Sequence, residues 1–300
     1  MTVPRAPGLP PVWLVLIGIV CVQLGAGFAK NLFDDAAPVT VVWLRLTASA
    51  LVLLVVVRPV LVGHSRTDWA VMAGYGVSLV TMNWAIYESF ARLPLGVAVT
   101  IEFVGPLSIA LLGSRRLRDL VWAGLAATGV VLLGATPGDL DLVGVLLALL
   151  AGAAWAAYIL LSAQTGRRWS GLSGLATASV VAALLVTPIV LSRHAGEITQ
   201  PQVVVIGALV GLLSSVIPYT CELVALRSLS TSVFGILMSL EPAAAALAGL
   251  VVVREVLSPV QVVAMACVVL ASIGATRSGA SVVEFTQQSS DGDLDEPVAR

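Results

Sequence analysis

The chain has 300 residues, 58% of them hydrophobic and only 11% charged, with a formal net charge of -1. A soluble domain carries about 25% charged residues, so this apolar excess excludes a water-covered globule and makes lipid the solvent. No basic stripe runs along the chain, which sets nucleic acid aside as a partner.

Apolar windows between Gly, Pro and charge breaks predict an all-α integral membrane protein of ten transmembrane helices. The spans fall at approximately 12–29, 39–57, 69–90, 95–112, 119–136, 142–162, 171–192, 202–224, 232–251 and 257–276. At ~1.5 Å per residue each reaches across a ~30 Å hydrocarbon core, some only barely. Arg5 followed by the apolar run Val12 to Phe28 has the look of a signal peptide, but no small-residue cleavage site follows it. The run is read as the first span. Beyond Arg277 the sequence turns to Ser, Gln and Asp and ends in Asp291-Gly292-Asp293-Leu294-Asp295-Glu296, the composition of a disordered acidic tail over 277–300.

Charge sets the expected orientation. With the N-terminus inside, the outer loops carry Lys30, Arg92, Arg193 and Arg254, while eleven arginines between Arg5 and Arg300 lie inside. That bias predicts both termini in the cytoplasm. Lys30 is the one lysine, and with the abundance of Ala and Val it points to a GC-rich bacterial genome, hence to a bacterial inner membrane.

An internal repeat accompanies the spans. Gly105-Pro106 is followed twelve residues after the proline by Arg118-Asp119, and Glu241-Pro242 at the same interval by Arg254-Glu255. Upstream, Tyr87-Glu88 with Ala91 answers Cys221-Glu222 with Ala225. Two five-helix units follow, 12–136 and 142–276. Because five is odd, the second enters the membrane upside down, giving the inverted repeats common in secondary transporters.

Ionisable groups at membrane depth cost ~2.5–3.5 kcal/mol on insertion scales and usually face a cavity. Glu102 and Glu241 lie near the middles of spans four and nine, and Arg45 lies inside span two, where it can pair with them or with a ligand carboxylate. Glu88 and Glu222 fall nearer span ends, where headgroup water is in reach. On span three, Asn83 with Tyr87 and Trp84 with Glu88 are i, i+4 pairs, read together as one polar and aromatic face able to grip a zwitterion. Tyr158, beside Trp155, and Tyr219, after Pro218, are further candidates, with core packing as their plain alternative. Pro94, Pro106, Pro218 and Pro242 interrupt or border spans and free backbone carbonyls. Gly207 and Gly211 form a GxxxG, read as helix packing.

Catalysis finds little support. Gly171-Leu172-Ser173-Gly174 matches the GxSG pattern of intramembrane serine proteases, which need a histidine on a facing helix, whereas His64 and His194 fall in loops. There is no HExxH, P-loop or GxGxxG. Cys21, Cys221 and Cys267 show neither paired nor metal-ligand spacing, so no cofactor or metal is expected.

The stretch from Asn83 to Gly134 holds Ala91-Arg92-Leu93-Pro94-Leu95-Gly96-Val97-Ala98-Val99, Glu102-Phe103-Val104-Gly105-Pro106-Leu107 and Ser114-Arg115-Arg116. It resembles the EamA branch of the drug/metabolite transporter superfamily, most of all its threonine and homoserine exporter group. Glu241-Pro242 and Arg254-Glu255 fit the broader EamA pattern, and the resemblance covers roughly 12–276. It implies export of amino acids or related metabolites coupled to the proton gradient. The residues themselves point to a secondary transporter working by alternating access. A drug or other metabolite carrier on the same fold, or a membrane sensor or scaffold acting through the acidic tail, remain the alternatives.

Overall fold

The computed structural model describes residues 10–277, apart from 113–118, 135–140, 171, 227 and 230. The acidic tail, Arg115, Arg116, Arg118, Arg227, Gly171 and the side chain of Tyr219 therefore lie outside the described residues. Those described are helical throughout, with no strand among them. Helices α1 (Pro11–Asn31), α2 (Pro38–Val57) and α3 (Arg66–Phe90) come first, followed by two short helices in line, α4 (Leu95–Glu102) and α5 (Val104–Leu112), and then α6 (Asp119–Gly134). Next are α7 (Leu142–Gly166), α8 (Ser173–Arg193), and α9 (Pro201–Gly211), which leads through a π-helical segment, Leu212–Val216, into α10 (Ile217–Leu226). The chain closes with α11 (Thr231–Met238), α12 (Glu241–Ala248), a second π-helical segment, Gly249–Val253, and α13 (Pro259–Arg277).

Among the described residues, seven helical stretches are long and apolar enough to cross a membrane, and Leu95–Ile109 and Asp119–Leu133 are shorter apolar helices. Proline sets several starts: Pro11, Pro38 and Pro201 stand in first turns, where a missing N–H costs nothing. Ser65 and Asp68 close a capping box at the start of α3. Large apolar side chains such as Val55, Val131, Leu184 and Val251 are exposed, as a lipid-facing surface requires.

Small residues let the bundle close. A side chain at Gly96 would lie 2.9 Å from the Ala246 Cα, so α4 and α12 cross backbone to backbone. Gly105 meets the carbonyl of Gly152 in the same way, clamping α5 on α7. The Gly207 and Gly211 pair packs α9 onto Leu44, Arg45 and Ala48 of α2, the helix-packing role expected of a GxxxG.

The two ends of the bundle are tied differently. At one end Lys30, closing α1, pairs with Glu255, and Glu197 accepts the Ala37 N–H at the start of α2 (2.9 Å) while bonding His194 (2.7 Å). At the other end Asp68 pairs with Arg168 (2.8 Å), and His64 stacks on Trp169 with ring centroids 3.7 Å apart. Bonds from Arg168 and Ser65 hold the Asp68 carboxyl down at about 2, so this pair persists through the physiological range.

Candidate functional site

A cavity of about 350 Å³ lies among α1, α2, α3, α4, α5, α7, α10, α11, α12 and α13. It sits where helices break. Pro106 lacks the N–H that would bond the Glu102 carbonyl, and α4 ends there. Between α11 and α12 the chain turns at Ser239 and Leu240 and restarts with Glu241-Pro242. Both interruptions thus bring a glutamate to the cavity wall.

Arg45 is the cation of the site. Its Nη1 donates to the Tyr87 hydroxyl (3.2 Å), its Nη2 donates to the Ser214 carbonyl (3.1 Å), and its guanidinium lies 5.5 Å from the Tyr87 ring centre. The Ser214 carbonyl is available because Pro218, four residues on, has no N–H to offer it. Two acceptors thereby hold the guanidinium in place, and its Nε has no partner among the described residues. Three carboxylates face the same space. Glu102 and Glu241 are buried, and neither they nor Glu222 form an ion pair or hydrogen bond among the described residues. Three acids against one base leave a negative surplus that a cationic group or a proton would neutralise.

Neutral groups complete the wall. Asn83 donates through Nδ2 to the Leu79 carbonyl (2.8 Å). Since a carbonyl only accepts, the amide is oriented with Oδ1 left over as an acceptor. Tyr158 and Trp155 of α7 also line the cavity, Trp155 meeting Phe103 edge-on at 5.7 Å.

Of the residues singled out in the sequence, Arg45, Asn83, Tyr87, Glu102, Pro106, Tyr158, Glu222 and Glu241 line this one cavity. Pro242 is buried but does not line it, and Trp84 and Glu88 are elsewhere. The single face expected of Asn83, Trp84, Tyr87 and Glu88 divides in two. Successive helical residues are rotated by about 100°, so Trp84 is 38% exposed on the outside of the bundle while Glu88 pairs with Arg92 (2.8 Å) at the end of α3. Sequence reasoning passes over Gln23, Ser162, Ser214, Ser272 and Thr276, which also line the cavity. Only Gln23 stands out as a signal, an amide in the middle of an apolar run.

A helical membrane bundle whose helix breaks line a cavity with charged, polar and aromatic side chains has the form of a small-molecule transporter. A model of the EamA-like transporter family matches residues 142–277. The threonine/homoserine exporter RhtA of Escherichia coli (strain K12) is 39% identical over 273 residues, 89% of this chain and 92% of its own. The corresponding RhtA of Salmonella typhimurium (strain LT2) is 37% identical over the same coverage. A crystal structure 19% identical superposes with a TM-score of 0.63 over 89% of this chain and 97% of the other, a likeness of fold alone. The chain belongs to the EamA-like transporter family and is a multi-pass membrane protein.

Proposed function

We propose that the protein exports small neutral amino acids of the threonine and homoserine kind across a bacterial inner membrane by alternating access. The observation that carries this reading is one fixed guanidinium and three carboxylates, which make no hydrogen bond or ion pair among the described residues, around a cavity of about 350 Å³, near the lower edge of the ~300–1,000 Å³ usual for ligand pockets. Arg45 takes the substrate carboxylate, Glu102 and Glu241 the ammonium, and Asn83 and Tyr87 supply neutral hydrogen bonds. Glu222 is the third acid, through which a proton exchanges with substrate. The exporters named above support the substrate class.

Ten spans in two inverted repeats, 12–136 and 142–276, belong to the same reading. Taking α4 with α5, α9 with α10, and α11 with α12 as interrupted rods yields ten crossings. Helix packing also exchanges with the halves: α1 on α10 and α12 answers α7 on α3 and α5, while α2 on α8 and α6 on α13 map onto themselves. Leu95 and Thr231 begin helices eleven residues before Pro106 and Pro242, a match in the folded chain that supports the register. With both termini cytoplasmic, a cavity reaching Ser272 and Thr276 beside Arg277 is the inward-facing form that loads an export substrate.

The test is efflux from bacteria loaded with a threonine-containing dipeptide. Overproduction speeds threonine or homoserine efflux, and Glu102→Gln at matched abundance abolishes the gain; a mutant of equal activity removes Glu102 from the mechanism. A second reading is favoured by the apolar walls at Phe90, Phe103, Trp155 and Phe234: a drug carrier on the same fold. Unchanged efflux of every amino acid together with faster expulsion of an aromatic cationic dye would decide for it.

A further inference from the structure

The Lys30 end of the bundle carries a polar knot that the substrate site does not use. Lys30 Nζ pairs with the Glu255 carboxylate and donates to the Leu93 carbonyl. The other oxygen of Glu255 accepts the Leu95 N–H at 2.8 Å, which caps α4. One residue along, Asn31 Nδ2 donates to the Val252 carbonyl at 3.2 Å. Three separate pieces are thus joined at one point: the end of α1, the turn between α3 and α4, and the stretch of chain between α12 and α13.

Glu255 reaches this point through an unusual backbone. Arg254 has φ 64°, in the left-handed region, and the Glu255 N–H folds back onto the Gly249 carbonyl at 2.9 Å. For a residue with a Cβ that conformation costs ~1–2 kcal/mol, offset here by the bonds its neighbour makes.

The packing around the knot is apolar. Ala29, Leu32, Leu93 and Leu95 are each no more than 2% exposed, and none of them lines the cavity. At the opposite end the cavity runs to Thr276, in the last turn of α13, and to Phe234, near the start of α11. The cavity lining stops short of the packed layer at the knot, which closes the Lys30 end. The pieces that shut it are also the ones best placed to move. The helix α4 is eight residues long and separated from α5 at Phe103, and α12 is eight residues long and followed by a π-helical segment. The bonds themselves are exchangeable, since the Lys30 and Glu255 side chains are 16% and 18% exposed and water can take the place of each partner as the end opens.

We infer that Lys30, Glu255 and the backbone of Leu93 and Leu95 form a latch that holds the Lys30 end of the cavity closed and must break once in every transport cycle. The inference rests on the alternating-access reading above. Glu255 is its central piece, because the same carboxylate binds the ammonium of α1 and caps the half-helix α4; losing it releases both. An equilibrium between closed and open forms then shifts by the free energy of those contacts.

The test reads opening without reference to substrate. A reporter cysteine replaces Val99, which lines the cavity one turn below Leu95, in protein whose Cys21, Cys221 and Cys267 are alanine. A membrane-impermeant maleimide is applied to reconstituted vesicles from one side at a time. From the Lys30 side, Glu255→Ala raises labelling roughly tenfold, and Glu255→Gln, which keeps an acceptor for the Leu95 N–H but not the ion pair, falls between. Equal labelling of all three forms, each eluting as folded protein, overturns the latch. In a second arm Lys30→Cys and Glu255→Cys are bridged by a short bis-methanethiosulfonate. Bridging cuts threonine efflux at least tenfold and reductant restores it, whereas bridged protein that transports at the unbridged rate makes this end a static seal. Should threonine fail to move in any variant while the labelling pattern holds, the amino-acid reading falls and the latch stands.

Discussion

The Lys30 end and the Arg277 end of the bundle are built from similar parts and differ in how those parts are buried. At the first, an ion pair with both partners under one-fifth exposed is bonded to backbone on two sides, over side chains with almost no exposure. At the second, Asp68 and Arg168 meet at the periphery, with Arg168 37% exposed, and neither lines the cavity. Charge pairing by itself therefore says little about closure. What closes an end is the backbone the pair holds and the apolar layer beneath it, since exposed ion pairs contribute little.

Substitutions can break or sharpen this contrast. The largest effect is expected on transport, from Arg45→Ala, which removes the fixed cation between the two ends. Hydrogen bonds to charged groups are worth ~1.5–3 kcal/mol, so threonine efflux at matched abundance should fall at least about tenfold. The next concerns stability at the closed end. Gly96→Ala places a methyl 2.9 Å from the Ala246 Cα, and since backbone must yield, a loss of about 1–3 kcal/mol is expected in thermal unfolding of the detergent-solubilised protein. A wild-type unfolding temperature would show that α4 and α12 can separate without cost.

Tyr87→Phe deletes one of the two acceptors holding Arg45. Hydrogen bonds to charged groups are worth ~1.5–3 kcal/mol and the Ser214 carbonyl keeps its hold on Arg45, so the substrate concentration for half-maximal efflux should rise about fivefold with abundance unchanged. The same glycine change toward the Arg277 end serves as the counterpart to Gly96. Gly235→Ala meets a threonine methyl at 3.0 Å, not backbone, and its gain in helix propensity offsets the contact, leaving unfolding within about 1 kcal/mol of wild type. Smallest of all is Asp68→Asn, where efflux should change by less than about twofold; a larger loss would mean that the Arg277 end also depends on its ion pair.

Several features of the site are legible in the sequence. Glutamates in the middle of apolar runs are costly in lipid, so Glu102 and Glu241 announce a cavity by their position alone, and Arg45 does the same. The proline signals are readable in kind but not in use: nothing in the sequence says that the carbonyl freed by Pro218 goes to Arg45. The face on α3 is readable only in part. A period of 3.6 relates Asn83 to Tyr87 and Trp84 to Glu88, but which pair looks inward depends on the neighbours of α3, and α7 and α8 decide for the first. Ser162, Ser214, Ser272 and Thr276 are beyond reach because small hydroxyl residues are common in membrane helices, where they bond their own backbone.

The sequence by itself determined that the chain lives in a bilayer, where its helices begin, and that a few charges must be sheltered within it. Those follow from local energies: hydrocarbon rejects unpaired polar groups, and proline and glycine act on the residues next to them. The tertiary structure alone decided which charges meet. Lys30 and Glu255 stand 225 positions apart and Arg45 and Ser214 169 apart, and contacts at such separations depend on how whole helices pack. So the carboxylates of Glu102, Glu222 and Glu241 came to share one cavity with Arg45, while Lys30 and Glu255 came to close its end.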